Sequence, residues 1–166
     1  MTDGTLRGFL EAVAAPTPTP GGGSAAALVG ALSTALSRMV AGLAVGKKGY
    51  EDVQGELEGL RARGADLTTR LLALAEDDAA AYDAVLQAQR LPRGTDEERA
   101  RRIDAVQAAY RRATEVPLET MGACLETLRR VVATTEPRLL DSQGRPKNSA
   151  KTSRVCHINN CRLAQA

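Results

Sequence analysis

Aromatic residues are scarce in this chain of 166 residues, which contains no tryptophan, one phenylalanine and three tyrosines. A core must therefore be built from alanine, leucine and valine, whose small side chains let helices approach one another closely. The sequence also lacks any run with the two-residue apolar period of a half-buried strand. Together these absences predict an all-α protein, and the length suffices for one domain with a usable core.

Cysteine and histidine are also scarce, with three cysteines and one histidine in the chain. Cys124 stands alone, and this odd, unpatterned set argues for a reducing cytoplasm rather than a disulfide framework. A structural zinc site needs four ligands in paired spacing, so His157 with Cys156 and Cys161 is a weak candidate, and we expect no metal. The first residues show no basic segment followed by an apolar one, so we expect no secretory signal.

Charge is distributed unevenly along the chain. Residues 1–137 contain 16 Lys and Arg against 19 Asp and Glu, a net charge of −3, whereas residues 138–166 contain 6 against 1, a net charge of +5. A nucleic-acid site needs a basic face with stacking aromatics, and the first region has neither, so we expect no nucleic-acid partner. The composition also changes at this point. We therefore predict a helical domain over 1–137 and a divergent, poorly ordered tail over 138–166.

Apolar spacing predicts an antiparallel helical bundle with long helices around a buried, alanine-rich helix. A short helix is expected over residues 4–14, the buried helix over 24–45, and a long amphipathic helix over 51–90 with a kink near Gly64. Thr95 and Glu98 have the spacing of a capping box, which begins the last helix. That helix is expected to run to about Val132, with a break at Pro117.

The helix predicted over residues 24–45 is also long enough to cross a membrane. Arg38 interrupts it, and Ala, Gly, Ser and Thr, which contribute little transfer energy, supply most of the rest. An apolar face all round is also typical of a helix buried inside a protein. We therefore favour burial, and expect no membrane partner.

The segment 16–31, PTPTPGGGSAAALVGA, runs from prolines through three glycines into an apolar helix. Gly21, Gly22 and Gly23 have no side chains to block a ligand, and Ser24 is a good N-cap, so the helix is predicted to start there. Unpaired N–H groups at a helix N-terminus suit an anion or a polar carbonyl. A plain linker before a helix is the alternative.

Two further segments contain candidate catalytic groups. Lys47 and Lys48 are the only lysines of residues 1–137, and a lysine amine can transfer a proton where an arginine cannot. The alternative is that they cap a helix C-terminus. Asp78 and Tyr82 lie four positions apart on one helix face, where a carboxylate at the edge of the apolar stripe can act as an acid or base. A solvated acidic patch is the alternative.

Four blocks of sequence resemble, in order, the formiminotransferase-cyclodeaminase C-terminal domain family, over roughly residues 5–132. They are APTPTPGGGSAAA, VGKKGYE, LAEDDAAAYDAVLQAQRLPRGTDEERARR and ATEVPLE. The resemblance implies an all-α homodimer that acts on a tetrahydrofolate derivative and needs no further cofactor. It implies Asp78 as acid or base, and Lys47 or Lys48 as proton donor or carboxylate anchor. The substrate-binding residues it implies are Gly21, Gly22, Gly23, Ser24, Tyr50 and Tyr82.

The activity expected from this resemblance is hydrolysis of 5,10-methenyltetrahydrofolate to 10-formyltetrahydrofolate, because no formiminotransferase domain is fused to the chain. Release of ammonia from formimidoyltetrahydrofolate is the first alternative. The second is a catalytically inactive helical dimer or binding protein, because residues 138–166 do not match the terminal helices of the family. A membrane-associated helix hairpin is a more distant alternative, which Arg38 opposes.

Overall fold

A computed structural model of the protein describes residues 4–139, with side chains up to residue 132. Helices make up almost all of this range, which contains no strand, and the predicted all-α fold is confirmed. The tail beyond residue 139, including the metal candidate at His157, lies outside the described residues. The helices are α1 (Leu6–Ala14), α2 (Gly22–Ala44), α3 (Gln54–Gln89) and α4 (Asp96–Leu139), with a 3₁₀ turn at Glu51–Val53.

Among the described residues, those from 4 to 127 form one compact unit, and Leu128–Leu139 belong to a second. The core of the first unit lies where α2, α3 and α4 meet. One cluster joins Ala27 of α2 to Leu74 of α3 and Val116 of α4, and a second joins Ala31, Leu67, Leu71 and Ala123. Alanines on α2 opposite leucines on α3 allow the close approach that the composition predicted.

Gly30 shows how close this approach is. A Cβ atom at Gly30 would lie 2.7 Å from the Cys124 Sγ atom and 3.3 Å from a methyl carbon of Leu71. At 2.7 Å a neighbouring atom would have to shift, and 3.3 Å is tighter than ordinary van der Waals contact. The absence of a side chain at Gly30 therefore lets α2 fit against both neighbouring helices.

The last helix is uninterrupted at Pro117, where the sequence predicted a break, and it ends at Leu139 rather than near Val132. Proline lacks the N–H that would bond the carbonyl of the residue four positions earlier, a loss worth about 3 kcal/mol in a helix interior. Val116 is fully buried next to it, and Thr120 is also buried one turn later. Packing of this face against the core outweighs the missing hydrogen bond, so the predicted break was wrong.

The turns between helices agree better with the sequence. The Thr95 Oγ1 atom accepts from the Glu98 backbone N–H at 3.2 Å, and a Glu98 carboxylate oxygen accepts from the Thr95 N–H at 3.1 Å, which confirms the capping box. The break before α3 is also present, with Gly46 and Gly49 at φ values of 72° and 86°. Only glycine adopts such angles without strain.

The sequence predicted that α2 is buried on all sides, and this prediction is wrong for the single chain. Large apolar side chains on the face turned away from α3 are about half exposed, from Val29 at 62% to Leu43 at 49%. The small residues of the opposite face are the buried ones, and Arg38 packs its stem across Gly64 of α3. Among the described residues, α2 is the one helix long and apolar enough to cross a membrane, a test that core helices also pass.

Candidate functional site

Asp78 and the glycine loop meet at the N-terminus of α2. The Asp78 Oδ2 atom accepts a hydrogen bond from the Ser24 backbone N–H at 2.8 Å and a second from the Ser24 hydroxyl at 2.9 Å. Ser24 is fully buried, and Asp78 is half-buried on α3. The structure thus brings together two candidates that lie 54 positions apart in the sequence.

Ser24 is not the N-cap of α2, contrary to the sequence prediction. The N-cap is Gly21, the helix begins at Gly22, and Ser24 is its third residue. Gly21 has no side chain to cap the helix, so a carboxylate from α3 performs that role and also meets the partial positive charge of the helix end. Tertiary contact has replaced the local cap that the residue types suggested.

Gly23 is required for this approach. A Cβ atom at Gly23 would overlap the carboxylate of Asp78, whereas one at Gly22 would have no neighbour within 4 Å. Adjacent glycines of the same loop therefore differ in what they allow. Gly23 makes room for Asp78, and Gly22 leaves the outer side of the helix end open to a ligand.

The surroundings of Asp78 include two residues that sequence reasoning missed. The Thr19 hydroxyl donates to the Asp83 Oδ1 atom at 3.3 Å, which fixes the proline-rich loop against α3. Nothing in the residue spacing connects positions 64 apart, so no pattern could have revealed this contact. Tyr82, one turn from Asp78, is 43% exposed, and its hydroxyl makes no hydrogen bond to a described residue.

Neighbouring carboxylates on α3 have different partners. Asp77, next to Asp78, accepts from the Arg112 guanidinium of α4 at 2.8 Å, and Arg112 also donates to Glu119 at 2.8 Å. The hydrogen bond to Glu119, followed by the nearby negative charges, raises the pKa of Arg112 above its usual value. Asp77 therefore belongs to an exposed ion-pair network between α3 and α4, and Asp78 faces the glycine loop.

Lys47, Lys48 and Tyr50 lie at the opposite end of α2. Both lysines are exposed in the turn that follows the helix. Tyr50 is half-buried and packs against the cluster formed by Ala41, Leu57 and Leu60. Since an α-helix rises 1.5 Å per residue, the twenty residues from Ser24 to Ala44 separate the two ends by about 30 Å. A single chain does not bring the lysines to Asp78.

Two surface clefts lined by described residues lie away from both groups. One, of about 400 Å³, is lined by α4 residues including Asp104, Arg111 and Glu115. The other, of about 460 Å³, lies between α3 and α4 near Ala88 and Leu91. Among the described residues, no group of three or more His, Cys, Asp and Glu side chains is placed to hold a metal ion.

The N-terminus of α2 brings together a proton acceptor and hydrogen-bond donors. Both bonds from Ser24 fall on Oδ2, and the Asp78 Oδ1 atom accepts none from residues 4–132, so that atom can take a proton from water or a substrate. The first N–H groups of a helix have no partner within it. Those of Gly22 and Gly23 are therefore placed to stabilise negative charge on a substrate oxygen.

Residues 5–137 match the family described as formiminotransferase-cyclodeaminase. The chain is 42% identical over 124 residues to a methenyltetrahydrofolate cyclohydrolase of Methylorubrum extorquens, a match that covers 75% of this chain and 60% of the relative. It is 39% identical over 119 residues to a formimidoyltransferase-cyclodeaminase of Mus musculus, covering 72% of this chain and 22% of that protein. The chain thus spans less than two thirds of the length of either relative.

A solved structure has a similar fold. The crystal structure of formiminotetrahydrofolate cyclodeaminase from Thermotoga maritima matches with a TM-score of 0.60 and 24% sequence identity. The match covers 95% of this chain and 86% of that chain. At this level of identity, the similarity establishes the arrangement of the helices and nothing further.

Proposed function

Because this chain belongs to the formiminotransferase-cyclodeaminase family, we propose that it hydrolyses 5,10-methenyltetrahydrofolate to 10-formyltetrahydrofolate. The observation that carries the proposal is the Asp78 carboxylate, held by Ser24 beside a helix N-terminus whose glycines leave room for a ligand. The 42% identity to a bacterial methenyltetrahydrofolate cyclohydrolase supports hydrolysis as the reaction.

In the proposed reaction, the oxygen of water adds to the methenyl carbon that bridges N5 and N10, and Asp78 takes the proton that water loses. The bond from that carbon to N5 then breaks as the new hydroxyl loses its proton and becomes the formyl C=O. N5 receives a proton, and the formyl group remains on N10. One water is consumed and one proton is released. The N–H groups of Gly22 and Gly23 stabilise the oxygen of the tetrahedral intermediate, and Tyr82 lies beside the pterin.

A lysine ammonium has two possible roles in this scheme. It can donate the proton that N5 receives, or it can bind the glutamyl carboxylate of the folate. We assign these roles to Lys47 or Lys48, with Tyr50 nearby. The 30 Å of helix between them and Asp78 means that this assignment requires more than one chain.

Formimidoyltetrahydrofolate cyclodeamination is the second candidate, supported by the 39% identity to the mouse protein. In that reaction N10 attacks the amidine carbon, a tetrahedral centre forms, and ammonia leaves. The same carboxylate and helix N-terminus would serve, because both reactions need an acid or base and fixed dipoles at one carbon. The third candidate is a helical dimer without activity, which is supported by residues 138–166 lying outside the match to the family.

We further propose that the protein works as a homodimer in the cytoplasm and that the folate is its only small-molecule requirement. The exposed apolar face of α2 supports association with another chain. Hydrolysis of a methenyl group or release of ammonia transfers no electrons, so the proposed chemistry uses no redox cofactor.

The absorbance of 5,10-methenyltetrahydrofolate tests the proposed activity. The wild-type protein should remove it faster than buffer, and Asp78→Asn should lower kcat by about 100-fold or more, the usual contribution of an acid or base. The amide introduced by this substitution retains an oxygen that can accept from Ser24, so the fold should persist. Asp77→Asn is the matched control, since Asp77 bonds Arg112 instead, and it should change kcat by less than about twofold.

The two candidate reactions separate by their products. Ammonia released from formimidoyltetrahydrofolate, without turnover of the methenyl compound, would assign the chain as a cyclodeaminase. Unchanged turnover in Asp78→Asn would remove Asp78 from the mechanism. A folded wild-type protein that converts neither compound would establish the inactive alternative.

A further inference from the structure

The loop that leads into α2 is attached to α3 at two points. The Ser24 backbone N–H and hydroxyl donate to the Asp78 Oδ2 atom at 2.8 Å and 2.9 Å. Five residues earlier in the loop, the Thr19 hydroxyl donates to the Asp83 Oδ1 atom at 3.3 Å. Carboxylates of one helix therefore hold both ends of residues 19–24, which we call the anchored segment.

The spacing of the two carboxylates keeps the anchored segment folded. Asp78 and Asp83 lie five residues apart on α3, so their positions differ by about 7.5 Å along the helix axis. A free chain of five residues can extend to about 17 Å. The bond from Thr19 therefore restrains the segment from extending, and it keeps Gly21 and Gly22 close to α3.

The two attachments differ in strength. Ser24 is fully buried and donates twice, whereas Thr19 donates once to a carboxylate that is exposed. Helix α1, which precedes the loop, buries none of its residues. Within the described part of the chain, the Thr19 bond is the one hydrogen bond that joins residues 4–20 to the helices that follow. Its loss would free the start of the anchored segment and leave the end in place.

We propose that Thr19 and Asp83 are positioning residues, which hold the anchored segment ready for the folate of the proposed reaction. The proposal rests on the function proposed above, in which the N–H groups of Gly22 and Gly23 face the substrate. A segment that is ordered beforehand does not have to lose conformational freedom when the substrate binds. Thr19 and Asp83 act through the glycines, so neither side chain has to touch the folate.

Steady-state kinetics with 5,10-methenyltetrahydrofolate test this role. Asp83→Ala and Thr19→Val should each raise KM by about three- to tenfold and change kcat by less than about twofold, because the ordering cost falls on substrate binding. Asp83→Asn keeps an oxygen that can accept from Thr19, and it should return KM to within about twofold of the wild type. A lower kcat with unchanged KM in the first two variants would overturn the proposal.

Glu58→Ala is the matched control for the loss of a negative charge. Glu58 is another exposed carboxylate of α3, about five turns before Asp83, and its removal should leave KM and kcat unchanged. An equal rise of KM in Glu58→Ala and Asp83→Ala would show that charge on α3 is responsible, and it would overturn the positioning role.

A double variant tests whether the two residues act through one bond. Thr19→Val and Asp83→Ala remove the same hydrogen bond, so their combination should raise KM no further than the single variant with the larger effect. Effects on KM that multiply in the double variant would show that the two residues act separately, which contradicts the proposal.

Backbone order measures the attachment without any substrate. In the wild type, ¹⁵N relaxation should give the Thr19 and Gly21 amides order parameters near the value of about 0.85 that is typical of rigid backbone, and in Asp83→Ala these should fall below about 0.6. The Ser24 amide, which Asp78 holds, should keep its order in both proteins. Unchanged order at Thr19 and Gly21 in Asp83→Ala would overturn the proposal.

The relaxation measurement also separates this proposal from the proposed function. Asp83 is exposed, so its substitution should leave the fold intact. If the wild type converts neither folate, the proposed function fails, and the order of the Thr19 and Gly21 amides still decides whether Asp83 holds the anchored segment.

Discussion

The inner and outer faces of α2 differ in the size of their side chains. The inner face is made of small residues that are buried: Ser24, Ala27, Gly30, Ala31, Thr34 and Ala41. The outer face is made of large residues that are exposed in the single chain: Val29, Leu32, Leu36, Met39 and Leu43. Small residues are needed where a neighbouring backbone comes close, and large ones need a surface to cover them. Side-chain size therefore distinguishes the face of α2 that packs within the chain from the face that the chain leaves exposed.

The largest difference in stability should come from truncating two leucines, one that packs against the inner face of α2 and one on its outer face. Leu71 of α3 is fully buried against the inner face, so Leu71→Ala should lower the free energy of unfolding by about 2–5 kcal/mol. Leu32 is 61% exposed, and Leu32→Ala should cost about 0.5 kcal/mol or less when the copies are dissociated. Urea denaturation at low protein concentration measures both.

The same leucine pair also tests the proposed dimer. At a protein concentration where copies associate, Leu32→Ala should weaken the dimer, whereas the effect of Leu71→Ala should not depend on concentration. Equal losses for the two variants at low concentration would contradict the distinction between the faces.

Adding a methyl group at each of two adjacent glycines should give a difference in stability of intermediate size. Gly23→Ala brings a Cβ into the carboxylate of Asp78 and should cost about 1–3 kcal/mol, with loss of turnover. Gly22→Ala meets nothing within 4 Å and should leave stability close to that of the wild type. Thermal denaturation and the absorbance assay provide the two measurements. Equal behaviour of the two variants would show that Asp78 moves aside at no cost.

Removing a buried or an exposed hydroxyl from α2 should give the smallest difference in stability. The Thr34 hydroxyl donates to the Gly30 carbonyl at 2.8 Å and lies 3.0 Å from the Thr127 hydroxyl, both in the buried interior. Thr34→Val should therefore cost about 1 kcal/mol. Ser37 bonds the Ser33 carbonyl at an exposed position, and Ser37→Ala should be neutral or slightly stabilising. A larger loss for Ser37→Ala than for Thr34→Val would reverse the comparison.

Much of the fold could be predicted because its signals are local. The Thr95 and Glu98 capping box, the glycines of the turn before α3 and the leucine spacing of α3 each act within a few residues. Pro117 was misjudged because its local preference is overridden by burial of Val116 against α2 and α3. The helix ends and breaks that depend on distant packing are the ones that the sequence could not supply.

The candidate site also combines features that local patterns identify with contacts that depend on distant packing. Residue types and spacing identified Asp78 and Gly23 separately, but their contact spans more than fifty positions and follows from how α2 and α3 pack. Thr19 and Asp83 were missed for this reason. The separation of Lys48 from Asp78 within one chain follows from the unbroken helix between them, in which Ser24 and Ala44 lie about 30 Å apart.

The cap that Asp78 provides has a consequence for folding. A serine or threonine N-cap lets a helix close its first turn before any neighbour arrives, but the carboxylate that caps α2 comes from another helix. The first turn of α2 should therefore close only as α3 docks, which couples helix initiation to tertiary assembly. The rate of amide hydrogen exchange at Ser24 would then report the docking of the two helices. A ligand that competes for the Asp78 carboxylate would raise the exchange rate of the same N–H group.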